Sequence, residues 1–499
     1  MEKNRGLNNQ NGNASISPHN QKRALQRVLI ILPYEMSARN LIDTPVARLL
    51  ALQENLSITV VSRDKIDAEK LKQLPGNPIA WRPIVRPFRY WSSRKDNVHS
   101  ASRLFFDDFL AVTGFFLHLS LVYRFNRLMN FRGFHDRLKQ SFYTRWHAFL
   151  EGLPTMGILG VPFAKSKTVY NLLYKTLYSD WQRHVEVEQV FEDIQPELMV
   201  LTHLQNGLIT SYLLAAKARN IPILGLNGSW DQPTTKGPLV PGVARILTQS
   251  AQVKVDLERY HNIPIERIGV VGWPQMDVYA NPDISEDRAA FLAQFGLTSA
   301  DRYILFGAYS QRLGKHEPEI FNRLVSQIEN SFFGDNIYLF IRPHPLDNEW
   351  QSRLGHFSHS PRVLIEPPEI GRLKHMAQLL YHAEVVLSSA GTIALDAVAL
   401  DTPSIAIAFE DESLPYYERS ARRYDMEHYN QVIKTGGIQL VRNYDELQTA
   451  LGLALENRLV DKETHYQLRA KHLMPLDGYA SNRIVNEIEL AVKACDITS

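Results

Sequence analysis

The strongest constraint in this chain is an alternation of short, wholly apolar runs with stretches of helical periodicity, and it occurs twice. From Arg27 the order is RVLIILPY, the helical LIDTPVARLLALQ, then SITVVS; after a break, strand-like runs resume at ELMVLTH, IPILGLNG and VARILTQS. A second set begins near Tyr303 with RYILFGAY, IYLFIRPHP, RVLIEPP, EVVLSS and PSIAIAF, separated by helical segments. Runs that are apolar at every position belong to strands buried on both faces, the mark of a parallel sheet covered by helices. The expected fold class is therefore α/β: two Rossmann-like, doubly wound parallel-sheet domains facing a cleft.

The pattern also divides the chain. Residues 1–24 are polar, without the apolar core of a signal peptide, and read as a disordered tail. Residues 25–265 form the first domain, interrupted at about 99–193 by a helical, aromatic-rich insertion; 266–480 form the second; 481–499 read as a helix able to cross back to the first.

Composition narrows the function. Lys and Arg total 55 against 53 Asp and Glu, a net charge of +2, so no global basic field points to nucleic acid. Charge is uneven, however: between Arg103 and Arg183 there are eleven Lys/Arg and five Asp/Glu. Arg124, Arg127 and Arg132 lie among aromatics there, which reads either as a buried helical region or as a peripheral membrane contact through 103–135. The single cysteine, Cys495, excludes an internal disulfide framework, and the expected location is cytoplasmic, with the inner face of the cell membrane as the peripheral option. No run reaches the roughly 20 apolar residues of a membrane span.

Three loops carry chemistry. Pro343 and Pro345 bias Arg342 and His344 toward extended backbone at the end of a strand, presenting a guanidinium and an imidazole from a stiff loop. Ser388, Ser389, Ala390, Gly391 and Thr392 form a small-residue turn between a strand and a helix, where backbone amides favour phosphate; Asp396 follows one turn later. Tyr309 and Ser310 follow the first strand of the second domain and offer further donor contacts. In the first domain, Trp230, Asp231 and Lys236 lie in a polar turn after IPILGL, Glu35, Arg39, Asn40 and Asp43 follow the first strand, and His203 ends LMVLTH. Neither sheet carries GxGxxG or GxxxxGK[ST], and no segment reads as a metal site.

In order, these stretches resemble the CDP-glycerol glycerophosphotransferases of teichoic acid synthesis and, more loosely, bacterial sialyl- and Kdo-transferases, all of GT-B fold. The family's W-H-G-T-P-x-K is similar to Trp230–Lys236, its G-x-P-R-x-D to Gly272–Asp277, its R-P-H-P to Arg342–Pro345, and its serine turn to Ser388–Thr392. The resemblance spans roughly residues 222–420 and implies a CMP- or CDP-linked donor, with UDP next. The chain departs from it at Asp231, where the family has its catalytic histidine, and at Gln275, where it has arginine.

The expectation is a metal-independent glycosyltransferase building a surface polysaccharide or glycolipid. No cofactor is expected beyond the nucleotide-sugar substrate, and the partner is a glycan or lipid-linked acceptor. Donor binding falls to Arg342, His344, Ser388, Ser389, Gly391, Thr392, Asp396, Tyr309 and Ser310, and acceptor binding to Trp230, Lys236, Arg39, Asn40 and His203. Asp231 is the first choice of base, then Glu35 or Asp43. The alternatives are a CDP-polyol phosphotransferase, a UDP-sugar 2-epimerase-like enzyme, and a non-catalytic nucleotide- or carbohydrate-binding protein.

Overall fold

The computed structural model describes residues 25–85, 185–204, 209–235, 239, 242–261, 263–285, 287–309, 314, 317–345, 347–410 and 420–498. The expected tail, the insertion up to residue 184, the 103–135 segment, Lys236 and Ser310 lie outside them.

Two all-parallel sheets form. The first runs in the order β3-β2-β1-β4-β5-β6-β7, from β1 (Gln26–Leu32), β2 (Leu56–Ser62), β3 (Ala80–Pro83), β4 (Leu198–Thr202), β5 (Ile223–Leu226), β6 (Arg245–Thr248) and β7 (Ile268–Val270). The second runs β10-β9-β8-β11-β12-β13, from β8 (Arg302–Gly307), β9 (Ile337–Arg342), β10 (Val363–Ile365), β11 (Val385–Ser388), β12 (Ser404–Ile407) and β13 (Gln439–Val441). Val28 to Leu32 are all fully buried, as a strand covered on both faces requires. The sequence pattern misses β3, β7 and β13, edge strands of three or four residues. Because β7 pairs with β6, the first sheet extends past residue 265 to Val270.

In each sheet the chain winds outward from its first strand in one direction and then returns to wind the other way. The switch points lie between β1 and β4 and between β8 and β11, where the loops at the carboxyl ends diverge and leave a crevice.

The last helix, Ala480–Thr498, packs on the first domain. Its Ile484, Val485, Ile488 and Val492 join Val28, Ile30, Val46 and Leu50 in one buried cluster. Asp277 sets its start by accepting from the Ala480 and Ser481 N–H groups at 2.9 and 2.7 Å. Arg245 then holds Glu487 with two hydrogen bonds of 2.7 Å. Gly272, at φ +95°, lets the two interdomain passages touch: a Cβ there would lie 3.0 Å from Pro475 O.

Ile488 is fully buried, so Ile488→Ala is expected to cost about 2–5 kcal/mol, read as a lower denaturant midpoint. An unchanged midpoint would show that the helix does not stabilise the sheet it crosses to reach.

Candidate functional site

On the second domain the switch point between β8 and β11 places Tyr309 beside the Ser388–Thr392 turn. Three tyrosine hydroxyls donate to that turn's carbonyls: Tyr424 to Ser388 O at 3.3 Å, Tyr309 to Ala390 O at 2.9 Å and Tyr429 to Gly391 O at 2.7 Å. With its carbonyls engaged, the turn holds one shape ahead of the Ile393–Ala399 helix. Burial raises all three phenols, so they remain donors at neutral pH.

The support beneath is Glu317, 3 % exposed. Its carboxylate accepts from the Tyr309 N–H at 2.9 Å and the Ser389 hydroxyl at 3.0 Å, and pairs with Arg353 at 3.2 Å. Arg353 also pairs with Asp347 at 2.6 Å and donates to Tyr309 O and Gly314 O. The Ser389 hydroxyl, expected to bind the donor, thus gives its proton to the scaffold. Burial pushes Glu317 up to about 7, while Arg353, the Tyr309 amide and Ser389 pull the other way.

Arg342 and His344 diverge. Arg342 leans toward β10, pairing with Glu366 at 3.3 Å, and Glu366 also holds His375 Nε2 at 2.5 Å. His344 leans toward β8 and stacks on Tyr309, with ring centroids 5.9 Å apart and an interplanar angle of 14°. Arg423 covers the Tyr309 ring at 4.8 Å. The RPHP turn therefore serves two neighbouring strands instead of closing both side chains on one point.

On the first domain the β1/β4 crevice is bridged by Ser37 Oγ and His203 Nδ1, 2.5 Å apart. His203 has φ +53°, rare for a residue with a side chain, and meets Tyr34 edge-on at 5.1 Å. Asn40 donates to Gly228 O at 3.3 Å. Gly228 lies so close to the imidazole that a Cβ would fall 2.6 Å from His203 Nδ1.

The remaining first-domain candidates separate. Trp230, 6 % exposed, packs edge-on against His428 and Tyr429 at 4.8 and 5.3 Å. Trp230, expected to bind the acceptor, is a buried interdomain contact. Glu35 lies beside Arg63 at 3.6 Å with its side chain 40 % exposed, and Asp43 is held by Lys70 at 2.6 Å. Asp231 is half-buried and close enough to Tyr309 for its charge to add to the rise that burial causes there.

One cluster spans the cleft. Tyr279, between the domains, donates to Asp396 Oδ1 at 2.9 Å. Burial pushes Asp396 up to about 6, against the pull of Tyr279, of Arg39 from the first domain and of Arg342 from the second. Burial also lowers both guanidiniums. Asp396 is thus bonded to a tyrosine and lies in the field of two arginines, a grouping invisible in a sequence that separates its members by up to hundreds of positions. Among the described residues, no group of three or more His, Cys, Asp or Glu side chains is arranged to hold a metal ion, and no helix is long and apolar enough to cross a membrane.

By sequence the chain matches no protein-family model and no curated protein, so the glycerophosphotransferase resemblance gains no family-level match. By structure it is similar to the Staphylococcus aureus MnaA–UDP co-structure, with TM-score 0.51 and 13 % identity over 94 % of this chain and 97 % of that one. UDP-GlcNAc 2-epimerase from Neisseria meningitidis bound to UDP-GlcNAc gives TM-score 0.51 and 14 % identity over 93 % and 99 %. The Methanocaldococcus jannaschii UDP-GlcNAc 2-epimerase gives 0.51 and 16 % over 93 % and 100 %. The likeness is one of fold, two Rossmann-like domains over nearly the whole chain.

Glu317→Gln keeps the shape of the brace and removes its ionisable group. Because the folded value near 7 lies above the ordinary 4.5, Glu317's contribution to stability is full below pH 4.5 and is lost as pH rises through 7. Denaturant titrations should show that downward slope in the wild type and not in the glutamine variant; equal slopes would refute it.

Proposed function

We propose that this chain is an enzyme acting on a nucleotide-activated sugar, and that its reaction breaks the bond between the anomeric carbon and the nucleotide's phosphate. The observation that carries this reading is the cross-cleft cluster, in which Tyr279 donates to Asp396 and the charges of Arg39 and Arg342, from different domains, act on both. Arg342 is shared with Glu366 and Arg39 with the neutral Asn40 amide, so positive charge stands beside a carboxyl whose own charge burial opposes. When the C1–O bond breaks, its electron pair leaves on the phosphate oxygen, and preorganised positive charge stabilises that developing charge. The braced Ser388–Thr392 turn lies on the same strand-to-helix segment as Asp396 and would take the adjoining phosphate oxygens.

The solved structures with the same fold are titled as UDP- and UDP-GlcNAc-bound proteins, which favours UDP over the CMP- or CDP-linked donor suggested by the sequence resemblance. They also favour epimerisation as the fate of the sugar. In that reaction a base takes a proton from the carbon beside C1 as the nucleotide leaves C1, giving a C1=C2 double bond; a proton then returns to C2 on the opposite face as the phosphate oxygen re-forms its bond to C1. Glycosyl transfer is the second reading, and a specific observation supports it: the first-domain pocket is lined by Ser37, Asn40, His203, Asn227 and Gln249 without a carboxylate. Such a lining suits hydroxyl recognition better than removal of a carbon-bound proton. In transfer, Asp231 would accept the proton of the attacking hydroxyl.

UDP is expected to raise the melting temperature, and Arg39→Ala and Arg342→Ala each to weaken UDP binding by roughly 10- to 100-fold. UDP-GlcNAc in D2O without acceptor then separates the fates. A C2 epimer carrying deuterium, seen by NMR, supports epimerisation; UDP release only on adding a glycan acceptor supports transfer. Absence of a thermal shift with UDP, CDP or CMP, together with unchanged nucleotide sugar, overturns the proposal.

A further inference from the structure

Arg423 lies beside the Ser388–Thr392 turn, in the short 3-10 helix Ser420–Asp425, where its neighbour Tyr424 is buried and Arg423 itself stays partly open. Its guanidinium stands 4.8 Å from the centre of the Tyr309 ring, a cation–π distance. That ring is fixed. Its hydroxyl donates to Ala390 O at 2.9 Å, the Tyr309 amide is held by Glu317, and His344 stacks on it. The guanidinium is therefore presented from a rigid platform at the side of the turn.

Two carboxyls, Asp231 and Glu317, act on the same phenol. Glu317 is committed to Arg353, Ser389 and the Tyr309 amide. Among the described residues no carboxylate lies within salt-bridge distance of the Arg423 guanidinium. Arginine keeps its charge, and its planar fork matches the oxygens of a phosphate. A half-buried guanidinium with a ring face for company is compensated when an anion binds beside it.

A second positive position is separate from this one. Arg39 and Arg342 act on Asp396, six positions further along the chain than Ala390. Arg423 is not among the charges acting on Asp396, and neither Arg39 nor Arg342 is among those acting on Tyr309. We infer that the donor site holds two phosphates at two places: the Arg39 and Arg342 cluster takes the phosphate that leaves C1, and Arg423 takes the one next to the nucleoside. The inference rests on the proposed nucleotide-sugar reading and names its substrate class, a nucleoside diphosphate sugar rather than a CMP-linked one, which carries a single phosphate. Arg423 is then a specificity-determining residue that touches no reacting atom, because the phosphate it holds keeps all its bonds.

Calorimetric titrations of the full chain with UMP and UDP divide the two positions. The wild type is expected to bind UDP about tenfold more tightly than UMP. Arg423→Ala should weaken both nucleotides alike, by about tenfold, whereas Arg342→Ala should weaken UDP and leave UMP at the wild-type value. Arg423→Lys should recover part of the loss and Arg423→Gln none, since phosphate needs the charge rather than the bulk. Three results overturn the division and leave the nucleotide reading intact: equal wild-type affinities for UMP and UDP, an Arg423→Ala variant that binds both as the wild type does or loses UDP alone, and recovery by glutamine. Failure of the wild type to bind either nucleotide overturns both. Should the variants not fold, a crystal structure of the wild type with UDP decides. An Arg423 nitrogen within about 3.2 Å of an oxygen on the nucleoside-side phosphate supports the inference, and a phosphate out of its reach refutes it.

Discussion

The second domain depends on one buried ion network, Asp347–Arg353–Glu317. Three loops leave the carboxyl ends of β8, β9 and β11, and each is fastened to it. The Tyr309 amide and carbonyl bind Glu317 and Arg353, Asp347 donates its N–H to His344 O at 2.8 Å, and Ser389 donates to Glu317. Removing charges from water is expensive, and a network of this kind is tolerated when every member is paired and hydrogen-bonded. Here the return is geometric: loops with little hydrophobic burial of their own share one fixed frame. The tyrosine hydroxyls on the Ser388–Thr392 turn complete it from the cleft side, and their rings pack where Trp230 of the first domain arrives. Stiffness of the Ser388–Thr392 turn and contact between the domains therefore have a common origin.

The first domain reaches the cleft by a different route. Its crevice is bridged by one imidazole and one serine hydroxyl, and its Asn227 and Gln249 amides are bonded to each other, so it offers mostly neutral hydrogen-bonding groups. The contrast suits a division of labour in which charge is met on one side and sugar hydroxyls on the other. Asp277 and Gly272 keep the two walls in register by pinning the passage between domains to the start of the returning helix.

Legibility in the sequence followed the same physics. β1, β8 and β9 were readable because burial on both faces writes an unbroken apolar run. β3, at a sheet edge, is partly exposed and only four residues long, so no period could form. The RPHP and Ser388–Thr392 loops were visible because proline and small residues punctuate them. Their support was not: Glu317 meets Ser389 and Arg353 only through folding, and in the sequence it is an ordinary acidic residue opening a helix. Trp230 misled for the converse reason, since an aromatic in a polar turn looks like a sugar platform until His428 and Tyr429 cover it.

The divergence of Arg342 and His344 gives the prolines a more definite role. One side chain enters the Glu366–His375 pair on the β10 side and lies near the cross-cleft cluster, and the other stacks on Tyr309 on the β8 side. A single stiff turn therefore ties the braced Ser388–Thr392 side to the region where the charge of Arg39 acts from the first domain. Arg39 comes from the first domain and Arg342 from the second, so the charge that acts on Asp396 and Tyr279 depends on both domains. On the proposed reading, a nucleotide that contacts both arginines would be held by both domains at once.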